Sequence, residues 1–488
     1  MIMAQEKSFI KAQKEFDSLC EWVRTAEGLL IDQVERELFA RLLAIGLALL
    51  QAFVARFGRG DAGSVIEQQG RPLRRSEEPH GRRYVSIFGP LEISRFVYAR
   101  RPKQKIEHVP LDVQLGLPAG EFSYVLEDWQ QRLCLKESFG ESVESIAALL
   151  DVKMSVRSAE TINRQMSRFA STYRPQPAPP PPAEEGQVLV VAADGKGVPM
   201  RRPLEERMRS SKRRGKGEKK NKKQMAYVGA VYTIDRFRRT PDEVVEELAR
   251  KQRADDRPTP QHKRVWAEMT LPTADDAGDS HDDQQQGKPR LFAQLAAEVE
   301  GRVAGSRKPL VCLMDGERAL WEAQRQWLPK RTVGILDLYH VLERLWAAAH
   351  CFHAEGSRGA EMFVSDRLRM LLEGKVGYLI GGLRRMSEKL HGEKRTRLSA
   401  VIRYLDNNRS HMQYDEYLAA GYPIGSGVAE GACRHVVKDR LEQTGMRWTV
   451  EGAQAMLHLR TIYLNGDWGD FLQHHIETEQ TALYGQAA

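Results

Sequence analysis

The sequence predicts an α/β fold, a mixed central sheet covered by helices, preceded by a mostly helical N-terminal region. Three observations carry that reading. Apolar runs of strand character come first as a group, at Gln187–Val198, Gln224–Asp235 and His262–Leu271, and from Lys308 onward alternate with helical patterns. Helical periodicity dominates residues 8–57 and 117–169. Between the two regimes lies RPQPAPPPPAEEG, Arg174–Gly186, whose proline density gives an extended spacer that joins no packed core.

At 488 residues the chain is expected to hold two to four domains. Residues 1–80 read as helical, with apolar spacing densest in VERELFARLLAIGLALLQAFVARFG. Residues 81–116 hold a hairpin, RRYVSIFGPLEISRFVYARR, whose β-branched and aromatic residues flank Gly89-Pro90 as the expected turn. Its basic ends suit a DNA backbone, or equally the protection of an edge strand.

Residues 117–173 contain ESVESIAALLDVKMSVRSAETINRQMSRFA, a helix-turn-helix pattern. Ile146, Ala147, Leu149 and Leu150 form the apolar side expected of its first helix, and Asp151 to Ser155 the connection. The second helix sets Arg157, Thr161, Arg164 and Arg168 along one face, a surface that suits a DNA major groove. Helix pairs with a merely solvated polar face carry the same pattern.

The spacer spans 174–186. Beyond it, residues 187–340 supply five strands, residues 341–420 are nearly all helical, and residues 421–488 return to the core and a tail. The formal charge of +8 is uneven. RRPLEERMRSSKRRGKGEKKNKKQ, Arg201–Gln224, holds twelve Lys/Arg against three Glu, a net of +9, so the remainder carries −1. Lys212, Arg213, Arg214, Lys219 and Lys220 concentrate there as candidate phosphate contacts, since such runs release counterions from nucleic acid. A solvated loop is the alternative.

Asp194 and Asp315 each follow an apolar run and precede glycine. Strand ends are where open α/β sheets hold ligands, although Asp-Gly is also an ordinary turn. The two become neighbours if the first and fourth strands pair. Glu430 follows Gly425-Ser426-Gly427, in the first turn of a helix with Ser426 as expected N-cap, where the helix dipole favours an ionised carboxylate. Arg434 and Lys438 extend that face and Arg447 adds a further cation. Three carboxylates suit Mg²⁺ or Mn²⁺, and two such ions about 4 Å apart serve phosphodiester displacement.

The succession ADGKGV, LMDGERALW, DLYHVLERLW and YPIGSGVAEGACRHVVKDRLEQTGMRW resembles bacterial insertion-sequence transposases of the ISKra group, relatives of the Mutator-like DDE enzymes. The resemblance is firm over Gln187–Leu464 and looser before it, where VPLD at Val109–Asp112 also matches. It implies an RNase H-like catalytic core with an all-helical insertion before the glutamate. It makes Asp194, Asp315 and Glu430 the catalytic triad binding two Mg²⁺ or Mn²⁺ ions, and places Asp337 and His340 of the DLYH element beside the site. It further implies cleavage and strand transfer on double-stranded DNA, at terminal inverted repeats and a target, by a homodimer or higher multimer. The basic Arg201–Gln224 segment is not settled by the family pattern.

Other classes are disfavoured. No GxSxG elbow, catalytic-cysteine signature or Walker A motif is present, and nothing advertises the covalent nucleophile of a serine or tyrosine recombinase. A non-catalytic transposase-derived DNA-binding protein and a nuclease without strand transfer stay open. Cys20, Cys134, Cys312, Cys351 and Cys433 form no CxxC pair, which argues against a zinc ribbon or disulfide framework. The polar N-terminus reads as no signal peptide, and the apolar run Leu42–Ala55 as too short for a bilayer, so a cytoplasmic, nucleoid-associated location without a membrane is expected.

Overall fold

The computed structural model describes residues 2–68, 70–101, 104–173, 180–181, 184–201, 223–250, 256–270, 287–303, 308–425, 427–443 and 445–485. The chain divides into two compact units, Met1–Arg174 with Trp468–Ala488, and Pro175–Asp467.

In the first unit, α1 (Ile2–Thr25) packs on α2 (Ile31–Ala55). Because α2 begins at Ile31, well before the apolar run at Leu42, length no longer excludes a membrane span. It carries a mean hydropathy of 2.1 over an 18-residue stretch of which 17% is buried within the protein. Strands β1 (Val65–Gln68), β2 (Arg71–Arg75), β3 (His80–Ser86), β4 (Gly89–Arg95) and β5 (Tyr98–Ala99) follow. They form a three-stranded sheet β1-β2-β5 and a β3-β4 hairpin. The helical expectation for residues 1–80 thus fails at β1 and β2, where only Leu73 is buried and no apolar alternation marks a strand.

The hairpin turn also differs from expectation. Ser86 pairs with Gly89, so Ile87 and Phe88 make the turn and Gly89-Pro90 opens β4. Ser86 Oγ accepts from Phe88 N–H at 3.1 Å and donates to the Gly89 carbonyl at 3.0 Å, closing the loop two residues early. Nor are its arginines all available to DNA. Asp112, in the short helix α3 (Pro110–Leu115), accepts from Arg82 Nη1 at 2.6 Å and Arg95 Nε at 2.7 Å. These three side chains are largely buried, and the VPLD element is the clasp of the hairpin.

Helices α4 (Tyr124–Cys134), α5 (Phe139–Leu150) and α6 (Val156–Ala170) pack together. The Ser138/Glu141 capping box starts α5, Asp151 ends it in the left-handed conformation (φ 52°), and Ser155 caps α6. Leu149 is 61% exposed, not part of the apolar side, while Ile146 and Leu150 are buried. A buried amide chain, Asn163 to Gln131 (2.8 Å) and Gln131 to Gln130 (2.6 Å), fixes α6 against α4. The C-terminal helix Trp468–Tyr484 belongs to this unit, whereas the sequence reading grouped it with 421–467. The reason is aromatic packing: Phe471 meets Tyr173, His475 meets Phe169 and Tyr124, and Trp468 Nε1 donates to Asp128 at 2.6 Å.

The second unit is a five-stranded sheet in the order β10-β9-β6-β7-β8. Its strands are β6 (Val188–Pro199), β7 (Lys223–Ile234), β8 (Gln261–Met269), β9 (Leu310–Met314) and β10 (Val333–Leu336). β7 pairs antiparallel with both β6 and β8, and β9 and β10 run parallel to β6. Both faces are covered, which is why VLVVAA and LVCLM are continuously apolar. A Cβ at Gly229 would lie 2.7 Å from Leu295 of the helix Gly287–Val303 on one face, and the helix at Gly427–Ala432 packs on β6 and β7. In chain order the helix Pro241–Arg250 lies between β7 and β8, and five helices from Leu338 to Ala420 form an insertion between β10 and the helix Gly427–Ala432.

Candidate functional site

The last residues paired between β6 and β9 are Ala193 and Met314, so Asp194 and Asp315 stand next to each other on neighbouring parallel strands. β6 does not end at Asp194 as its apolar run suggested. It continues to Pro199 paired with β7 alone, because β7 extends to Lys223 while β9 stops. Asp194 therefore sits where one partner strand leaves. Burial raises its carboxyl pKa and the Asp315 charge adds to that rise, opposed by the Gly195 N–H (2.7 Å), by nearby His340 and by a hydrogen bond from the Cys433 thiol. That thiol is itself pushed up by burial and by Asp194.

The helical insertion reaches the same place. Tyr404 Oη donates to Asp315 Oδ1 at 3.4 Å, and the Arg344 guanidinium lies 4.7 Å over the Tyr404 ring. Burial first, then the Asp315 charge, raise the Tyr404 phenol. A Cβ at Gly316 would meet Asn408 Nδ2 at 2.6 Å and the Tyr404 ring at 2.7 Å. The glycine after Asp315 thus admits the insertion helix Gly392–Asn407, beyond any turn requirement.

Asp337 follows β10 in register with Asp315. It is buried and caps the helix Leu338–Ala349, accepting from Tyr339 N–H at 2.9 Å, an anchoring role away from solvent. His340 is half-buried beside Asp194. The two late motifs interlock: Leu338 N–H donates to the Ile424 carbonyl at 2.9 Å, and a Cβ at Gly425 would lie 3.0 Å from the Tyr339 ring.

Glu430 is exposed on Gly427–Ala432, one turn before Cys433. Among the described residues, no three His, Cys, Asp or Glu side chains gather closely enough to hold a metal ion. The aspartate pair is assembled and the glutamate is not drawn to it. The helix continues as a π turn, Cys433–Lys438, which interrupts the four-residue spacing expected to align Glu430, Arg434 and Lys438. Arg434 and Lys438 are exposed, and Arg434 lies 3.8 Å from Asp439. Arg447 is also exposed, on the segment whose Trp448 pairs with Pro199 and Arg201 at the end of β6.

On α6, Arg157 and Arg168 are exposed and Thr161 and Arg164 half-buried, while Ala159, Ile162, Asn163 and Met166 face the core. Lys212, Arg213, Arg214, Lys219, Lys220 and the N-cap candidate Ser426 lie outside the described residues.

Sequence reasoning missed Tyr404, which lies outside the quoted motifs, and Arg344 and Cys433, which lie inside them but at positions to which the pattern assigns no role. It also missed Arg440, fully buried beneath Trp448 (5.0 Å) with Nη1 3.4 Å from Met446 Sδ, which explains the GMRW segment as a clasp on an internal guanidinium.

No protein-family model and no curated protein matches the chain. Among solved structures it is similar to the Drosophila P element transposase strand transfer complex, at 8% identity and a TM-score of 0.22, over 74% of this chain and 83% of that one. A likeness that distant carries no argument about this protein.

Proposed function

We propose that this protein is a DNA transposase of the insertion-sequence type, with an RNase H-like core that cleaves and joins DNA strands at Asp194, Asp315 and Glu430. The observation that carries the reading is the Asp194–Asp315 pair on adjacent parallel strands, partly buried and mutually repulsive. Such a pair fits a divalent cation, whose charge would relieve both the burial cost and the repulsion. Asp194 and Asp315 would hold Mg²⁺ or Mn²⁺, with Glu430 joining from its exposed helix. Two bound ions would activate water or a 3′-hydroxyl and neutralise charge at the scissile phosphate.

The chain's own residues supply positioning. Sheet pairing holds Asp194 and the strand leading into Asp315, Tyr404 orients the Asp315 carboxylate, and His340 and the Cys433 thiol partly oppose the rise that burial imposes on Asp194. The outward face of α6, through Arg157, Thr161, Arg164 and Arg168, would read the terminal repeats in the major groove. Arg434, Lys438, Arg447 and the basic segment around Lys212–Lys220 would contact phosphates. Assembly as a dimer or higher multimer on double-stranded DNA belongs to the same proposal.

The test is purified protein with Mg²⁺ and a labelled terminal repeat. Cleavage plus joining supports the reading, and cleavage alone reduces it to a nuclease. A non-catalytic DNA-binding protein is the second reading, favoured by the exposure of Glu430, and binding without cleavage would establish it.

A further inference from the structure

A cavity of about 560 Å³ opens between the end of β7, the Gly427–Ala432 helix and Tyr339, within the size range of small-ligand sites. Its lining combines cations with rings. Arg239, Arg257, Lys263 and His435 border it together with Phe237, Tyr339 and Tyr422. Arg239 and Arg257 share a single carboxylate, Glu247, at 3.1 and 2.8 Å, so the pair keeps surplus positive charge. The Arg239 side chain is 9% exposed, and its Nε–H has no partner among the described residues. The remaining wall holds Asp235, Thr259, three prolines and four glycines, including Gly421, Gly425 and Gly431, so a flat group meets backbone over part of it. None of these residues has a role in the acid pair, yet the helix lining the cavity carries Glu430 and Tyr339 lies two residues past Asp337.

We propose that this cavity receives an unstacked nucleotide of single-stranded DNA, its phosphate among Arg239, Arg257, Lys263 and His435 and its base against the Tyr339 and Tyr422 rings. A charged groove with aromatic platforms is the physics by which single strands are held without sequence preference. The inference rests on the reading of this protein as one that handles DNA, and locates where a strand separated near the acid pair is gripped.

A Cβ at Gly431 meets nothing within 4 Å, so the side chain of Gly431→Leu starts in open space on a wall of the cavity. The probe is a fluorescein-labelled eight-residue oligothymidylate, read by anisotropy on the full chain, with circular dichroism and melting confirming folding. Gly431→Leu and the pair Arg257→Ala/Lys263→Ala are expected to weaken binding at least about tenfold, and an abasic oligomer to bind the native protein about tenfold less well than oligothymidylate. Equal affinity across native protein and both folded variants overturns the proposal, as does equal affinity for the abasic oligomer, which would reduce the cavity to a phosphate contact. If Asp194→Asn still cleaves while Gly431→Leu loses the oligomer, the catalytic reading fails and the cavity stands. If Asp194→Asn abolishes cleavage and Gly431→Leu binds normally, only the cavity fails.

Discussion

Two acid sites, one in each unit, are treated in opposite ways. In the first, Asp112 is clasped by Arg82 and Arg95, and Asp128 by Arg132 and the Trp468 indole. Glu127, buried and facing Glu479, has no such clasp, and burial followed by that neighbouring charge pushes its pKa up to about 8. In the second unit Asp194 and Asp315 face one another, and neither forms an ion pair among the described residues. Acids that a fold pairs or keeps protonated serve the fold. An adjacent pair of carboxyls without a cationic clasp is a cost to stability that a bound cation would offset, which is why chemistry is assigned there.

That contrast breaks most visibly at the unpaired acids. Asp194→Asn and Asp315→Asn are expected to lower strand cleavage at least about a thousandfold while DNA affinity and melting temperature hold or rise. Glu430→Gln should also abolish cleavage, and a Glu430→Gln protein cleaving near the native rate would remove Glu430 from the triad. Asp112→Ala should do the reverse, leaving the acid pair intact while costing the first unit about 3 kcal/mol in urea unfolding, because two buried guanidiniums lose their partner. An effect under about 0.5 kcal/mol would equate Asp112 with an ordinary surface pair.

The protonated acid gives a smaller, pH-dependent effect. With Glu127 at about 8 when folded and 4.5 as its reference, the folded state holds a proton that the unfolded state has lost, so stability falls as pH rises between those values. His475, lowered to about 4 by burial, has the opposite sign, losing stability as pH falls from 6.5. The two slopes oppose each other below pH 6.5. The net decline, at most about 1.4 kcal/mol per pH unit, is therefore expected between about 6.5 and 8, and Glu127→Gln should flatten it. The smallest effect is Ser155→Ala, about 1 kcal/mol from the lost cap of α6.

Much of the second unit was legible. Strands covered on both faces announce themselves as unbroken apolar runs, and the pairing of the first and fourth placed Asp194 beside Asp315. What stayed hidden depends on contacts distant in sequence. Tyr404 reaches Asp315 across 89 residues, and Cys433 meets Asp194 only because a helix packs on β6. The π turn at Cys433–Lys438 has no composition of its own, so a four-residue spacing was drawn straight through it. β2 escaped because its arginines mask any alternation, and β1, only four residues long, is too short to show one.

The aromatic clasp of Trp468–Tyr484 onto the first unit also sets a schedule. As the ribosome emits the chain, α4 and α6 appear well before Phe471 and His475, which bury against Tyr173 and Phe169. The whole second unit is synthesised in between. The helix pair proposed to read DNA is therefore completed only after the second unit has been made, and a chain truncated before Trp468 would expose the aromatic surface of an unfinished domain.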